Sequence, residues 1–228
     1  MRFFLLTLLA CSACTAAKPV VEEPVTQAEP QAEATEAAPK AAQPHASTNL
    51  VFEGDLSFIS VKNGDTPVLG TLAGFSGSAV AGPEEDGIIP LKGTLQIPLN
   101  TLSTELELRD QNILNAFFGV EANPVAFFEL KRMSHPAPGT AGMWIDGSLK
   151  IGPFSLDVRG HFRATTATDG SQNLESGEAM ILSISELGMG ERLASLIALC
   201  QHKSVDDSVE VRAKGTIRFT VDAPAVPQ

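Results

Sequence analysis

The chain has 228 residues and a formal net charge of −11, of which −9 falls on residues 49–228. That balance excludes nucleic acid as a partner, since its phosphate backbone would be repelled, and excludes docking on anionic lipid through a basic patch. Three cysteines are present, and only Cys200 lies away from the extreme N-terminus. A disulfide framework is therefore excluded, and an apolar core must hold the fold. Twelve Phe, one Trp and no Tyr give an aromatic content almost free of phenolic handles, which suits a dry interior better than a polar cleft.

Residues 1–10 read as a signal peptide. Arg2 is the basic n-region, and Phe3 to Ala10 form an apolar run far too short to span about 30 Å of hydrocarbon. The segment Leu8-Leu9-Ala10-Cys11 resembles the lipobox of bacterial lipoproteins, with Leu three residues before the cysteine and a small Ala just before it. Cys11 is thus the expected lipid anchor. Leu9 is larger than usual there, which keeps Cys14 open as the anchor, although Cys11-Ser12-Ala13-Cys14 lacks the upstream Leu. An ordinary signal cleaved after Ala13 is the third reading. Acyl chains on the cysteine, at about 0.8 kcal/mol for each buried CH2, would hold the protein on a membrane. Ser12, where an inner-membrane retention Asp would stand, points to an outer-membrane lipoprotein facing the periplasm.

Residues 11–48 form the linker. Between Thr15 and Thr48 lie ten Ala, five Pro and five Glu, with little that could build a core. The recurring prolines oppose a stable helix and favour extended chain, so the segment reads as disordered. As a flexible coil it spans roughly 30–35 Å. His45 falls within it as a solvated residue.

Residues 49–228 carry the texture of an all-β domain. Leu56–Val61 is the first predicted strand. Leu91–Leu99 alternates, with Leu91, Leu95, Ile97 and Leu99 on one face and Pro98 near a strand end. Further strands are expected near 66–80, 124–133, 143–151, 153–166 and 175–185. The last strand runs from Val209 to Val221, with Val209, Val211, Ala213, Gly215, Ile217, Phe219 and Val221 on one face. Two stretches read as short helices: Leu106–Phe118, through Ile113, Leu114 and Phe117, and Glu191–Cys200, through Leu193, Leu196, Ile197 and Cys200. About eight strands with one or two short helices predict an all-β, antiparallel barrel, whose interior at that strand number holds one small ligand.

The order of these features resembles the YceI-like family. The strand Leu56–Asn63 is followed by the glycine-spaced run Gly70–Ser78, then by Ile97-Pro98-Leu99-Asn100-Thr101-Leu102-Ser103-Thr104. Arg109-Asp110-Gln111-Asn112 and Ala116-Phe117-Phe118 match the family's Arg-Asp helix and its Phe-Phe element. Asn123–Leu130 matches its Pro-initiated strand, and Gly147–Gly152 its Gly-x-Leu-x-Ile strand pair. Asn112 stands where the family often has His, Ala116 where it has Asp, and the stretch from Gly188 to Lys203 is longer. The resemblance implies a lipocalin-like antiparallel barrel and a non-catalytic domain that binds or carries a polyisoprenoid or other long-chain lipid in the cell envelope. The alternative is a ligand-free barrel acting as an envelope interaction or structural lipoprotein.

Residues expected to face the ligand are Phe75, Leu95, Ile97, Phe127, Trp144, Ile217 and Phe219; the same residues would serve a packed core equally well. Phe117 and Phe118 are placed to cap the barrel, and Arg109, beside Asp110, to read a head group or to cap its helix. Cys200-Gln201-His202 is the one close thiol and imidazole pair, without a second pair at ligand spacing, and His135 and His161 lack evident partners. No metal site or cofactor is expected. No hydrolase elbow, zinc-protease, P-loop or dinucleotide motif occurs, so no catalytic residue is assigned. The expected partners are an apolar lipid, the membrane through the acyl chains and, for the domain itself, a second copy in a homodimer.

Overall fold

The computed structural model describes residues 48–135 and 142–221. The signal segment, Cys11, Cys14 and the linker through Ser47 lie outside the described residues. Nine strands are described: β1 (Thr48–Lys62), β2 (Thr66–Ala81), β3 (Ile88–Pro98), β4 (Val125–Ser134), β5 (Met143–Ile151), β6 (Phe154–Thr166), β7 (Gln172–Ser176), β8 (Met180–Ser183) and β9 (Ser208–Val221). Two helices accompany them. Glu107–Asn112 (α1) continues as a π-helical turn over Ile113–Phe118, and Gly190–Cys200 forms α2.

β1 to β7 pair antiparallel in chain order, and β9 closes the ring by pairing with both β7 and β1. The result is the expected barrel of eight antiparallel strands, with β8 as an extra strand hydrogen-bonded to β9 alone. The single strand expected over 175–185 is therefore two. β7 leaves β9 after Glu175, and β8 rejoins it at Met180. At the break the buried hydroxyl of Ser176 stands in for a missing backbone rung. Ser176 Oγ accepts from the Ala213 N–H at 2.8 Å and donates to the Ala213 carbonyl at 3.2 Å. A side chain can satisfy buried backbone groups this way wherever a ladder is interrupted.

β1 begins eight residues before the predicted strand, because Gly54-Asp55 breaks the alternation in sequence without breaking the strand. Gly54 lies opposite Gly215 of β9, and a Cβ on Gly54 would stand 2.3 Å from the Lys214 carbonyl oxygen. Glycine here permits two backbones to approach, at the point where the β1–β2 register slips by a residue.

Two apolar clusters fill the two ends of the barrel. Leu50, Phe52, Leu130, Met133, Ile145 and Ile217 belong to one. Ile97, Leu99, Ile151, Ile184, Met189 and Leu193 belong to the other, against which Phe117, Phe118 and Ile197 pack. Both helices thus cover this second end. α1 lacks a side-chain cap at its start, but Glu107 and Asp110 place negative charge on its first turn. Asp110 Oδ1 accepts from the Thr104 backbone N–H at 2.9 Å and from the Thr104 hydroxyl, so the preceding loop is tied to the helix. The π-helical turn ends at Gly119, whose φ of 61° is left-handed.

Candidate functional site

The barrel interior holds two adjoining cavities. The first, near mid-barrel, has a volume of about 120 Å3, and the second, beneath the helices, about 180 Å3. A water molecule needs roughly 10–15 Å3 of such space, so neither is an ordinary packing defect. Leu56, Ile97, Leu149, Leu182 and Val211 line both, which makes the two cavities neighbours along one apolar path. Among the described residues, the lining of the first has one polar side chain, Thr216, and that of the second has Ser60 and Ser183. No charged side chain lines either. Such a chamber offers burial to hydrocarbon and nothing to a polar ligand, which would lose its hydrogen bonds on passing inside.

Period-two alternation explains which side chains reach the chamber. On β2 and β3, Phe75, Leu95 and Ile97 point inward and line it, as the sequence reading placed them. At the helical end Ile113, Phe117 and Phe118 line the second cavity from above, and the Phe117 and Phe118 rings meet edge to face at 5.0 Å. From α2, Leu193 and Leu196 complete the cover. Arg192 fastens the two helical segments, its Nη1 donating to the Phe117 carbonyl at 3.0 Å while its guanidinium lies 5.3 Å from the Phe154 ring centre.

Five expected positions fall elsewhere. Phe127 points outward and is 41% exposed; its neighbour Phe128 lines the cavity in its place. Two consecutive Phe leave the parity open, and buried Ala126 and Leu130 on the inward face fix it at Phe128. Trp144 lies on the outer face, with the Arg159 guanidinium 4.6 Å from its ring centre and the His161 ring at 4.7 Å. It shares its parity with Asp146, Ser148 and Lys150, a signal available in the sequence. His161, read as lacking a partner, therefore has one in Trp144. Ile217 is fully buried in the cluster that fills the far end of the barrel and touches neither cavity. Phe219 follows the same parity but is 44% exposed and lines neither cavity.

Arg109 also stands apart from the chamber. It borders an outer groove of about 550 Å3 between β1, β2, β9 and the Ser103–Glu105 loop. There its Nε donates to Thr104 Oγ1 at 2.7 Å, a structural tie rather than an aim into the barrel. Leu149, Leu182, Phe128 and Phe162 line the cavities without having been singled out. Leu149 sits in the quoted Gly147–Gly152 match, and its alternation with Gly147 and Ile151 was the signal for it.

Titratable groups with shifted pKa values all lie away from the interior. Hydrogen bonds from the Ser183 and Ser185 hydroxyls hold Asp207 below the usual Asp range, and this carboxylate ties the β8–β9 connection together. Burial lowers His202, with Lys62 and Arg109 adding to the effect. Cys200 is half-buried, and its Sγ accepts from Asn112 Nδ2 at 3.6 Å across α1 and α2. Among the described residues no three His, Cys, Asp or Glu gather as a metal site, and no helix is long and apolar enough to cross a membrane.

Comparison with known proteins agrees with this geometry. No curated protein sequence matches the chain. Among solved structures, a polyisoprenoid binding domain from Saccharophagus degradans, implicated in plant cell wall breakdown, superimposes with a TM-score of 0.56 at 14% identity. That match covers 77% of this chain and 100% of the other. BcnA of Burkholderia cenocepacia gives a TM-score of 0.55 at 16% identity, covering 72% of this chain and 96% of its own. At these identities the likeness shows the fold. The model of the YceI-like domain matches residues 42–217, and the chain therefore belongs to the YceI-like family.

Proposed function

We propose that this protein binds and carries a long apolar lipid, of the isoprenoid class, in the bacterial cell envelope, and that it performs no catalysis. The observation that carries this reading is the pair of adjoining cavities lined almost wholly by apolar side chains. Transfer of a hydrocarbon chain into such a chamber is driven by its removal from water, at roughly 25 cal/mol per Å2 of apolar surface. The isoprenoid class is supported by the family and by the polyisoprenoid-binding domain that shares the fold. The envelope setting is supported by Leu8-Leu9-Ala10-Cys11, which makes Cys11 the lipid anchor, and by Ser12, which favours the outer membrane. A chamber walled by hydrocarbon and a tether at the membrane fit a carrier that loads and unloads at the bilayer.

Native mass spectrometry with solvent extraction, on protein purified from a bacterial host without detergent, tests the reading. A long-chain species bound at near-stoichiometric amount is the expected result. A protein that emerges empty, and stays empty after incubation with polyprenols and with long-chain fatty acids, refutes it and leaves a ligand-free interaction protein.

A further inference from the structure

Among the described residues, hydrogen bonds close the barrel wall except along one seam. β6 pairs with β5 from Phe154 to Phe162, but on its other side it pairs with β7 only from Phe162 to Thr166, with one further bond from the Gly177 N–H to the His161 carbonyl at 2.8 Å. Beyond that point β8 occupies the space between β6 and β9, and β8 pairs with β9 alone. Among the described residues no ladder joins β6 to β8.

The side-chain bonds of Asp157, Arg159 and Ser183 do not cross this seam. On the outer face of β6, Asp157 accepts from Ser148 and Lys131, and Arg159 reaches Asp146 and Trp144, all on the β5 side. On β8, Ser183 bonds to Asp207 and Ser185, away from β6. What fills the seam from within is apolar: Val158 on one side, Met180 and Leu182 on the other. Gly160 makes the room for Met180, since a Cβ there would stand 2.8 Å from the Met180 sulfur. The outer lip of β8 carries Ile181, which is 61% exposed.

Two other routes to the chamber are fastened. β2 leaves β3 over its first half, and that gap is bridged by the Leu99–Ser103 segment. Thr71 N–H donates to the Ser103 carbonyl at 2.8 Å, Ser103 N–H returns the bond at 3.0 Å, and Ala73 N–H donates to Thr101 Oγ1 at 3.0 Å. The helical cover is pinned by Arg192 on the Phe117 carbonyl and by fully buried Met189.

We propose that the β6–β8 seam is the lateral portal of the barrel, through which an apolar chain slides between Val158 and Met180–Leu182 while the helices stay closed. The inference rests on the lipid-binding reading above. Parting the seam displaces apolar side chains without breaking a backbone ladder, and methionine yields readily because it is unbranched. Leu182 lines both cavities, so the portal opens where they meet. Ile181 outside and Leu182 inside give an incoming hydrocarbon chain apolar contact on both sides of the wall.

The test uses the full chain with Cys11, Cys14 and Cys200 replaced by Ser, carrying Arg159→Cys and Ile181→Cys, bridged by a short bis-maleimide. Neither position lines either of the two interior cavities. Octaprenol uptake from phosphatidylcholine vesicles is followed by time-resolved native mass spectrometry. A control bridge joins Thr94→Cys to Glu129→Cys, partners in the β3–β4 ladder. The seam bridge is expected to slow uptake at least tenfold, and to trap octaprenol loaded beforehand, while the control leaves both rates unchanged. Uptake through the bridged seam at the unbridged rate overturns the portal, as does equal slowing by the control bridge or failure of the two cysteines to link. An unbridged protein that takes up no octaprenol, and binds none on long incubation, sinks the lipid reading itself.

Discussion

Leu149→Trp tests whether the two cavities act as one site. Leu149 lies on β5 opposite Phe128 and Leu156 and lines both cavities, so an indole there projects into their junction. Overfilling a packed core costs typically 1–3 kcal/mol, but this side chain grows into existing space, so the expected loss of stability is under about 1 kcal/mol. Binding should suffer far more. Each CH2 kept out of the chamber forfeits about 0.8 kcal/mol, so excluding four carbons costs about 3 kcal/mol, or more than a hundredfold in affinity. A C40 polyprenol that occupies both cavities meets the obstruction, whereas farnesol fits on one side of it. Competition for the protein, read by native mass spectrometry over a concentration series, should show octaprenol weakened at least a hundredfold and farnesol less than fivefold. Equal weakening of both, or of neither, refutes the continuous path, provided denaturant unfolding shows the variant folded.

Other consequences are separable from that one. Ser176→Ala leaves the buried N–H and carbonyl of Ala213 without partners, at roughly 1–3 kcal/mol for each, and urea unfolding should report a loss of about 2–4 kcal/mol; a loss below 0.5 would show the hydroxyl to be dispensable. Phe128→Ala should weaken polyprenol binding while Phe127→Ala leaves it within about twofold, because only the first lines the chamber. Gly54→Ala drives a methyl into the Lys214 carbonyl and the Gly215 Cα, and should cost at least about 2 kcal/mol by thermal unfolding, unless β1 and β9 can separate there. Asp207 has a depressed pKa in the folded state, so the stability it contributes is full above the ordinary value of 3.8 and is lost as pH falls through the lower folded one. Hydrogen-exchange protection in the β8–β9 connection, taken relative to the intrinsic rate at each pH, should fall over that acid range, and Asp207→Ala should show the reduced protection already at neutral pH.

The barrel was legible because alternation is a local property. β9 alternates over its whole described length and its register against β1 carries the closure, so a pattern in fourteen residues announced the ring. Where the pattern was interrupted the reading stopped too early, as at Gly54-Asp55, or ran on too far, as at Ser176-Gly177, where the chain changes from β7 to β8 while keeping β9 as its partner. The facing errors have a different origin. At Phe127-Phe128 either residue satisfies the local rule, and only burial of Ala126 and Leu130 decides. Trp144 counts as an inward apolar position only if Asp146 and Lys150 on the same parity are set aside; the ring is satisfied outside by a cation and an imidazole. Whether inward side chains meet across the axis is not a local property at all. It depends on how far apart opposite walls stand, which the strand number and stagger set together. Here Ile217 and its neighbours do meet and close one end, while Leu149 and Leu182 border open space. The apolar face that in a narrower barrel would be spent on packing is left, over part of its length, lining unfilled space.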